Sequence, residues 1–431
     1  MRIEVGYGGG AVTSSVLDAL KDARARTLEL ALDLDDEEWM GPRLDIVNPM
    51  RWELGHLAWF QEHWVLCHAC GRVSLREDAD RLYDSMRVHH DTRWDLPLPD
   101  RRATLAYMAE VLERTLAAAL RESYFQWLAV FHEDMHDEAF TYTRQTLAYR
   151  RPRFALAADE SERVRAATAG PLPGDVEVPG GRYLLGAVPG RDPFIFDNEK
   201  WAHAIDVAPF RIARAPVTNA EYAAFVEAGG YEQRAYWSEQ GWQWREMTNA
   251  RLPVYWRKMH GSFEVRRYDR WEAVAPYQPV IHVSWHEADA YCRWAERRLP
   301  TESEWELAAS TPAKRRFPWG DGWPTEAHAN LDGRFGGPVD VAGFPEGDSA
   351  YGCRQMIGNV WEWTSTRFGP YSGFVIDPYM DYSKPWFRTP HMVLRGGCWA
   401  TRARLLRNTW RNFYPPHRRD VLAGFRTCAT G

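Results

Sequence analysis

The stretch from 124 to 140, Tyr-Phe-Gln-Trp-Leu-Ala-Val-Phe-His-Glu-Asp-Met-His-Asp-Glu-Ala-Phe, constrains the chain more than any other. In a helix, side chains three and four apart share a face, which puts Phe125, Leu128, His132, His136, Ala139 and Thr143 on one stripe. That is the stripe a soluble helix buries, and it carries two imidazoles one turn apart. Two readings fit. Imidazoles at this spacing can converge on one cation, with a helix holding them more rigidly than a loop would. Equally, they can be hydrogen-bonded core residues, because short motifs match by chance. A third histidine bears on the choice: Asn48-Pro49 reads as an N-cap followed by proline at the first helical position, opening a helix with Trp52, His56, Trp59 and His63 on one face. Alone, His56 would be a satisfied core residue. Beside His132 and His136 it is a candidate third ligand.

Two more long helices complete the first half. One runs from about Thr13 to Leu34, with Thr13, Ser14 and Ser15 as candidate caps; another runs from an Asp100 cap to about Leu120, and the histidine helix itself spans about Ser123 to Leu147. Four such helices read as a bundle, in which metal sites are built by inward side chains of facing helices. The loop 82–99 holds Arg87 and Arg93, which are either bidentate readers of a substrate carboxylate or charges on a solvated loop. The helical period stops at Tyr149-Arg-Arg-Pro-Arg153, so the expected division is a bundle over 1–150, a linker over 151–175 and a second domain over 176–431. The second domain has short apolar runs broken by Gly, Pro, Asn and Asp. It should contain a strand, turn and strand over 176–186, helices over Asn219–Ala228 and Trp285–Arg297, and a third after the Thr301-Glu-Ser-Glu304 capping box. The fold class is therefore α+β.

Composition narrows the function. Over 431 residues the formal charge is only -6, which gives no electrostatic footprint for nucleic acid or an anionic membrane. No stretch approaches a membrane span and the first residues lack the apolar run of a secretion signal, so a cytoplasmic protein acting on small molecules is expected. Six cysteines in a chain this long read as free thiols; Cys67-His-Ala-Cys70 is the only close pair, and no second pair matches it as a zinc site would require.

The second domain resembles the formylglycine-generating (sulfatase-modifying factor) domain, a fold related to C-type lectins. The stretches that carry the likeness are Pro216-Val-Thr-Asn-Ala-Glu-Tyr222, Pro279-Val-Ile-His-Val-Ser-Trp285, Arg298-Leu-Pro-Thr-Glu-Ser-Glu-Trp-Glu306, Phe317-Pro-Trp-Gly320, Gly358-Asn-Val-Trp-Glu-Trp363, Leu394-Arg-Gly-Gly397 and Gly424-Phe-Arg426. The first resembles a DinB-type four-helix bundle. Their fusion, with one histidine on the second helix and His-x-x-x-His on the fourth, is similar to the ergothioneine sulfoxide synthase family and its relatives for ovothiol and selenoneine. That resemblance covers about nine-tenths of the chain. It implies a mononuclear non-haem iron(II) held by His56, His132 and His136, with dioxygen as co-substrate. It also implies coupling of a sulfur or selenium donor to an imidazole carbon of a histidine derivative such as hercynine. Three neutral imidazoles suit this, because they leave coordination positions open. The loop between the Gly-Asn-Val-Trp-Glu-Trp and Leu-Arg-Gly-Gly motifs would carry the phenol that donates a proton or electron, Tyr382 first and Tyr379 second. In Arg411-Asn-Phe-Tyr-Pro-Pro-His-Arg418, Asn412 matches the position that contacts the betaine end of the substrate and Arg418 one that binds the donor carboxylate; Phe413 and Tyr414 lie in the same substrate-binding stretch.

The chain also departs from that pattern. Sulfur-transferring members carry Gln just before the last ligand, where this chain has Met135, and enzymes that use gamma-glutamylcysteine carry an acidic residue where it has Tyr414. A neutral selenosugar donor would not miss that acid, and the stretches 48–60 and 93–99 also resemble the selenoneine branch, so the likeness leans that way; a thiol donor, cysteine or gamma-glutamylcysteine, is the alternative. Three other readings compete. His132-Glu133-Asp134-Met135-His136 is literally the zinc-hydrolase His-Glu-x-x-His, with Glu133 as general base. Cys398 and Cys428 invite comparison with the reactive cysteines of formylglycine-generating enzymes. A lectin-like fold can also simply bind.

Overall fold

The computed structural model describes residues 3–6, 11–118 and 124–430. The helix ends expected at Leu120 and Ser123 lie outside the described residues. The chain divides into two compact units, Met1–Phe154 and Ala155–Gly431.

In the first unit an antiparallel pair, β1 (Ile3–Gly6) and β2 (Ala11–Ser14), precedes six helices: α1 (Val16–Ala31), α2 (Asp36–Met40), α3 (Met50–Gln61), α4 (Ala79–Tyr83), α5 (Arg101–Leu116) and α6 (Tyr124–Thr146). The four long ones form the expected bundle, α1 packed along α6, and α3 against both α5 and α6. Of the three proposed caps of α1 it is Ser15 that acts, accepting a hydrogen bond from the Asp18 amide, while Thr13 and Ser14 belong to β2. Asp100 caps α5 through the Ala103 amide at 2.8 Å. Asn48 does not cap α3: Pro49 holds the cap position with no side-chain hydrogen bond. The Asn48 amide is instead taken by the Glu53 carboxylate one turn in, at 2.6 Å. Beyond Gln61, α3 continues as a wider π-helical stretch, Glu62–Ala69.

The second unit opens with α7 (Glu160–Ala167), inside the stretch 151–175 that was expected to be linker. The Ala158 amide donates to the Arg334 carbonyl at 2.8 Å, Glu162 pairs with Arg334 at 2.9 Å and the Gly170 amide donates to Asp340 at 2.9 Å, so most of this stretch is built into the second unit. An ion pair holds α7 and only Ala166 is buried, which is why no apolar period announced it. Then come β3 (Asp175–Val178), β4 (Gly181–Leu185), β5 (His203–Val207), β6 (Phe210–Ala213), α8 (Asn219–Glu227), α9 (Glu239–Thr248), β7 (Trp256–Met259), β8 (Ser262–Arg267), β9 (Arg270–Ala273), α10 (Trp285–Trp294), β10 (Arg297–Arg298) and α11 (Glu302–Ser310). The last are β11 (Trp361–Arg367), β12 (Met392–Arg395), β13 (Asn412–Tyr414), β14 (Ala423–Gly424) and β15 (Cys428–Ala429). Two four-stranded sheets, β10-β15-β6-β3 and β13-β12-β11-β14, accompany the β4-β5 pair and the β7-β8-β9 meander. The strand, turn and strand expected over 176–186 are β3, the break at 179–180 and β4, but the two strands do not pair with each other: β3 pairs with β6, and β4 with β5. The Gly180 backbone turns at positive φ where a Cβ would come within 2.3 Å of the Val207 carbonyl, so the strands part at a close backbone crossing.

The motif residues of this unit meet each other inside it. Arg426 grips Glu362 at 2.6 and 2.7 Å, the Trp305 indole donates to Glu362 at 2.8 Å, Arg411 bonds Glu302 at 2.7 and 3.1 Å, and Arg395 pairs with Glu306. All are buried, a placement charges tolerate only when paired and hydrogen-bonded. Burial alone would raise the Glu306 carboxyl, but Lys314 and Arg395 hold it below its ordinary value. Among the described residues no helix is long and apolar enough to cross a membrane.

Candidate metal centre

Helices α3 and α6 bring His56, His132 and His136 together, with one ring nitrogen of each within 4.8 Å of the others. Aromatic neighbours fix the rings. His132 lies flat on Phe60 at 3.5 Å between centroids and 3° between planes, and His56 stacks on Trp52 at 5.0 Å and 10°. His56 Nδ1 donates to the Tyr83 carbonyl at 2.8 Å, which leaves the lone pair of its Nε2 available to a cation. Tyr83 reaches this position because residue 55 is glycine: a Cβ there would come within 2.2 Å of the Tyr83 ring. Burial pushes the His56 and His132 imidazoles well below the ordinary value of 6.5, with His136 adding repulsion, so both are neutral. Neutral imidazoles in a cluster of three suit a divalent transition metal. His136 Nδ1 is buried with no hydrogen-bond partner in range.

Glu133, between the two histidines in sequence, is no general base. Its carboxylate accepts from Arg24 at 2.6 and 3.2 Å and from Thr27 at 2.9 Å, and Arg24 is further tied to Gln61 at 2.8 Å. Both its oxygens are committed in the bundle interior, which removes the zinc-hydrolase reading. Arg87 lies at the surface, 70% exposed and paired with Asp84 at 3.0 Å, as a solvated loop charge would. Arg93 is packed: it lies 3.8 Å over the Trp52 ring and donates to Asn48 at 2.7 Å. Met135 is half-buried on α6.

The other candidate residues belong to the second unit. Tyr382 stacks on Phe196 at 4.0 Å and meets the edge of Phe413 at 6.0 Å; Phe413 stacks on Phe368 at 3.8 Å. Burial raises the Tyr382 phenol above its ordinary value, so it stays protonated. Tyr379 is half-buried 6.1 Å from Tyr382 between ring centroids. Asn412 opens β13 beside Phe413, whose amide it accepts at 2.8 Å. Arg418 lies over Tyr414 but is held by Asp420 through two bonds of 2.7 and 2.6 Å. Cys398 and Cys428 are buried and unbridged, and burial pushes the Cys428 thiol up to about 12, so Cys428 lacks the character of a reactive thiolate. Cys67 and Cys70 are likewise free thiols.

Sequence reasoning missed Glu53, whose carboxylate lies 3.7 Å from His136 Nδ1. The signal was available: Glu53 precedes His56 by one turn on the same face of α3.

Residues 19–158 match the DinB superfamily and residues 160–430 the sulfatase-modifying factor enzyme 1-like domain. A hercynine oxygenase of Mycobacterium tuberculosis is 40% identical over 94% of this chain and 96% of its own length. One from Mycolicibacterium smegmatis is 38% identical over 96% and 98%. A formylglycine-generating enzyme of Streptomyces coelicolor is 34% identical over 52% of this chain and 78% of its own. Likeness along nearly the full length of the first two, through both domains, identifies this chain as an oxidoreductase belonging to the hercynine oxygenase family.

Proposed function

We propose that this chain is an oxygen-dependent non-haem iron(II) enzyme that joins a chalcogen to the imidazole C2 of hercynine, with a selenosugar as donor, and so makes selenoneine. The observation that carries the reading is the convergence of His56, His132 and His136 within 4.8 Å in a chain 40% identical to a hercynine oxygenase. Iron(II) held by those imidazoles supplies the activation of dioxygen. The remaining work falls to the chain. Tyr382, protonated and oriented by its stack on Phe196, serves as the proton donor, with Tyr379 as the alternative phenol. The rings of Tyr382 and Phe413, which meet edge to face at 6.0 Å, suit a trimethylammonium group, and Asn412 offers its amide to the betaine end.

The donor is argued from what is already spent. Arg418 already gives two N–H bonds to Asp420 and Arg87 is paired with Asp84 at the surface, so a donor carboxylate would compete with a protein carboxylate at either one. Tyr414 offers no counter-charge to a donor ammonium. A donor lacking both groups fits best.

Iron(II) is to be loaded anaerobically and the protein then exposed to oxygen with hercynine and, in parallel, a selenosugar, gamma-glutamylcysteine and cysteine, the products being weighed by mass spectrometry. A selenium adduct is expected. A sulfoxide adduct alone would move the protein to ergothioneine synthesis, and no adduct from any donor would overturn the reading.

A further inference from the structure

Glu53 is the buried polar residue at the histidine cluster to which no role has been given, and its surroundings define one. It is 6% exposed and sits on α3 one turn before His56. Its Oε1 accepts the Asn48 amide at 2.6 Å, and Asn48 in turn accepts Arg93 at 2.7 Å, while Arg93 is pinned 3.8 Å over Trp52. The carboxylate is therefore fixed from one side. Its other oxygen, Oε2, points at His136 Nδ1 from 3.7 Å, beyond hydrogen-bond range. Elsewhere at the cluster His56 Nδ1 is held by the Tyr83 carbonyl, and Glu133 by Arg24 and Thr27.

A ligating imidazole has two nitrogens, and the one off the metal ordinarily donates its hydrogen to a carboxylate or carbonyl, which sets the tautomer and aims the ring. For His56 that partner is a carbonyl. We propose that for His136 it is Glu53: the carboxylate accepts the Nδ1 hydrogen and presents Nε2 as the ligand. It also places one negative charge beside a dication whose ligands are all neutral. Arg93 is then the outer end of a line through Asn48 and Glu53 to His136, and not a reader of substrate carboxylate. Glu53 is a positioning residue. The inference rests on the metal-centre reading above and deepens it.

The test uses the full chain and cobalt(II) alone, read by its d–d absorption and by competition with a chelator of known affinity, alongside metal-free melting curves. The unaltered protein should bind one cobalt and His132→Ala none. Glu53→Gln keeps the volume and the Asn48 contact but turns an amide donor toward His136 Nδ1, favouring the wrong tautomer. It should bind cobalt about 10–100-fold more weakly with a shifted d–d band and an unchanged metal-free melt. Glu53→Asp, which restores the charge, should fall between. Unaltered affinity and spectrum in Glu53→Gln would overturn the proposal, and complete loss of cobalt, as in His132→Ala, would make Glu53 a ligand instead and overturn it too. Should Glu53→Gln fail to fold, Asn48→Ala, which unties the carboxylate, reads the same quantities with the same expectation. No cobalt bound by the unaltered protein would overturn both this inference and the reading beneath it.

Discussion

Gly55 matters to the histidine cluster because of what it lacks. Its absent Cβ is where the Tyr83 ring lies, 2.2 Å from Cε1 and 2.4 Å from Cζ, and the same tyrosine's carbonyl holds His56 Nδ1. Gly55→Ala should therefore cost about 1–3 kcal/mol by overpacking, read in urea melts, and should weaken metal uptake by releasing His56. Glu133→Ala should cost about 3–5 kcal/mol, because it leaves the Arg24 guanidinium buried without its counter-charge. A Glu133→Ala protein as stable as its parent but stripped of a peptidase activity would restore the hydrolase reading. Tyr382→Phe keeps the stack on Phe196 and loses only the hydroxyl, so product formation should drop about a hundredfold or more while the melt stays put. A normal rate would pass the role to Tyr379. At this scale the sequence reveals a residue whose helix fixes its meaning. His132 and His136 were legible because i and i+4 coincide on any helix. The pairing of Arg418 with Asp420 was not, since nothing in the sequence says which way the guanidinium turns.

Among the elements, α6 carries two of the three histidines and is anchored at its far end by one arginine. Arg144 is fully buried and bonds Asp33 at 2.7 and 2.9 Å and the Leu30 carbonyl at 2.9 Å, tying the end of α6 to the chain that leaves α1. Burial by itself would raise the Asp33 carboxyl, but Arg144, helped by Arg150, holds it below its ordinary 3.8. A carboxyl depressed in the folded state gives stability that is present above the unfolded value and is lost as pH falls through the folded one. Asp33→Asn should thus lower the urea midpoint at pH 7, and the gap from the parent protein should close as pH is taken below 3.8. A gap that persists in acid would mean that the contact works by packing and not by charge. The long helices were readable because their apolar period spans several turns. α7 was not, being a polar helix fastened by an ion pair, although its Asp159 and Glu162 capping box stood in the sequence. The π-helical stretch after Gln61 leaves no apolar signature either, because widening a turn changes phase and not composition.

In the molecule as a whole, the motifs that make the second unit recognisable turn out to be its fasteners. Arg426 reaches across 64 residues to Glu362, and Arg395 across 89 to Glu306. Arg426→Ala should leave Glu362 buried and unpaired at a cost of about 3–5 kcal/mol, so that limited proteolysis cuts within Ala155–Gly431 while Met1–Phe154 survives. Equal resistance of both units would show that the Trp305 bond to Glu362 suffices. The motifs identified the domain from sequence, but which glutamate answers which arginine is a matter of distant pairing that no local pattern encodes. One consequence concerns time. β15 lies between β10 and β6, so a strand made late is inserted between two made earlier. Arg426, just before β15, follows Ala213 of β6 by 213 positions, so a ribosome adding about 5–20 residues per second needs roughly ten to forty seconds to supply the missing strand. The histidine bundle is complete once α6 has emerged. During synthesis the nascent chain therefore spends that interval with its three histidines already made and its second half still waiting for a partner strand.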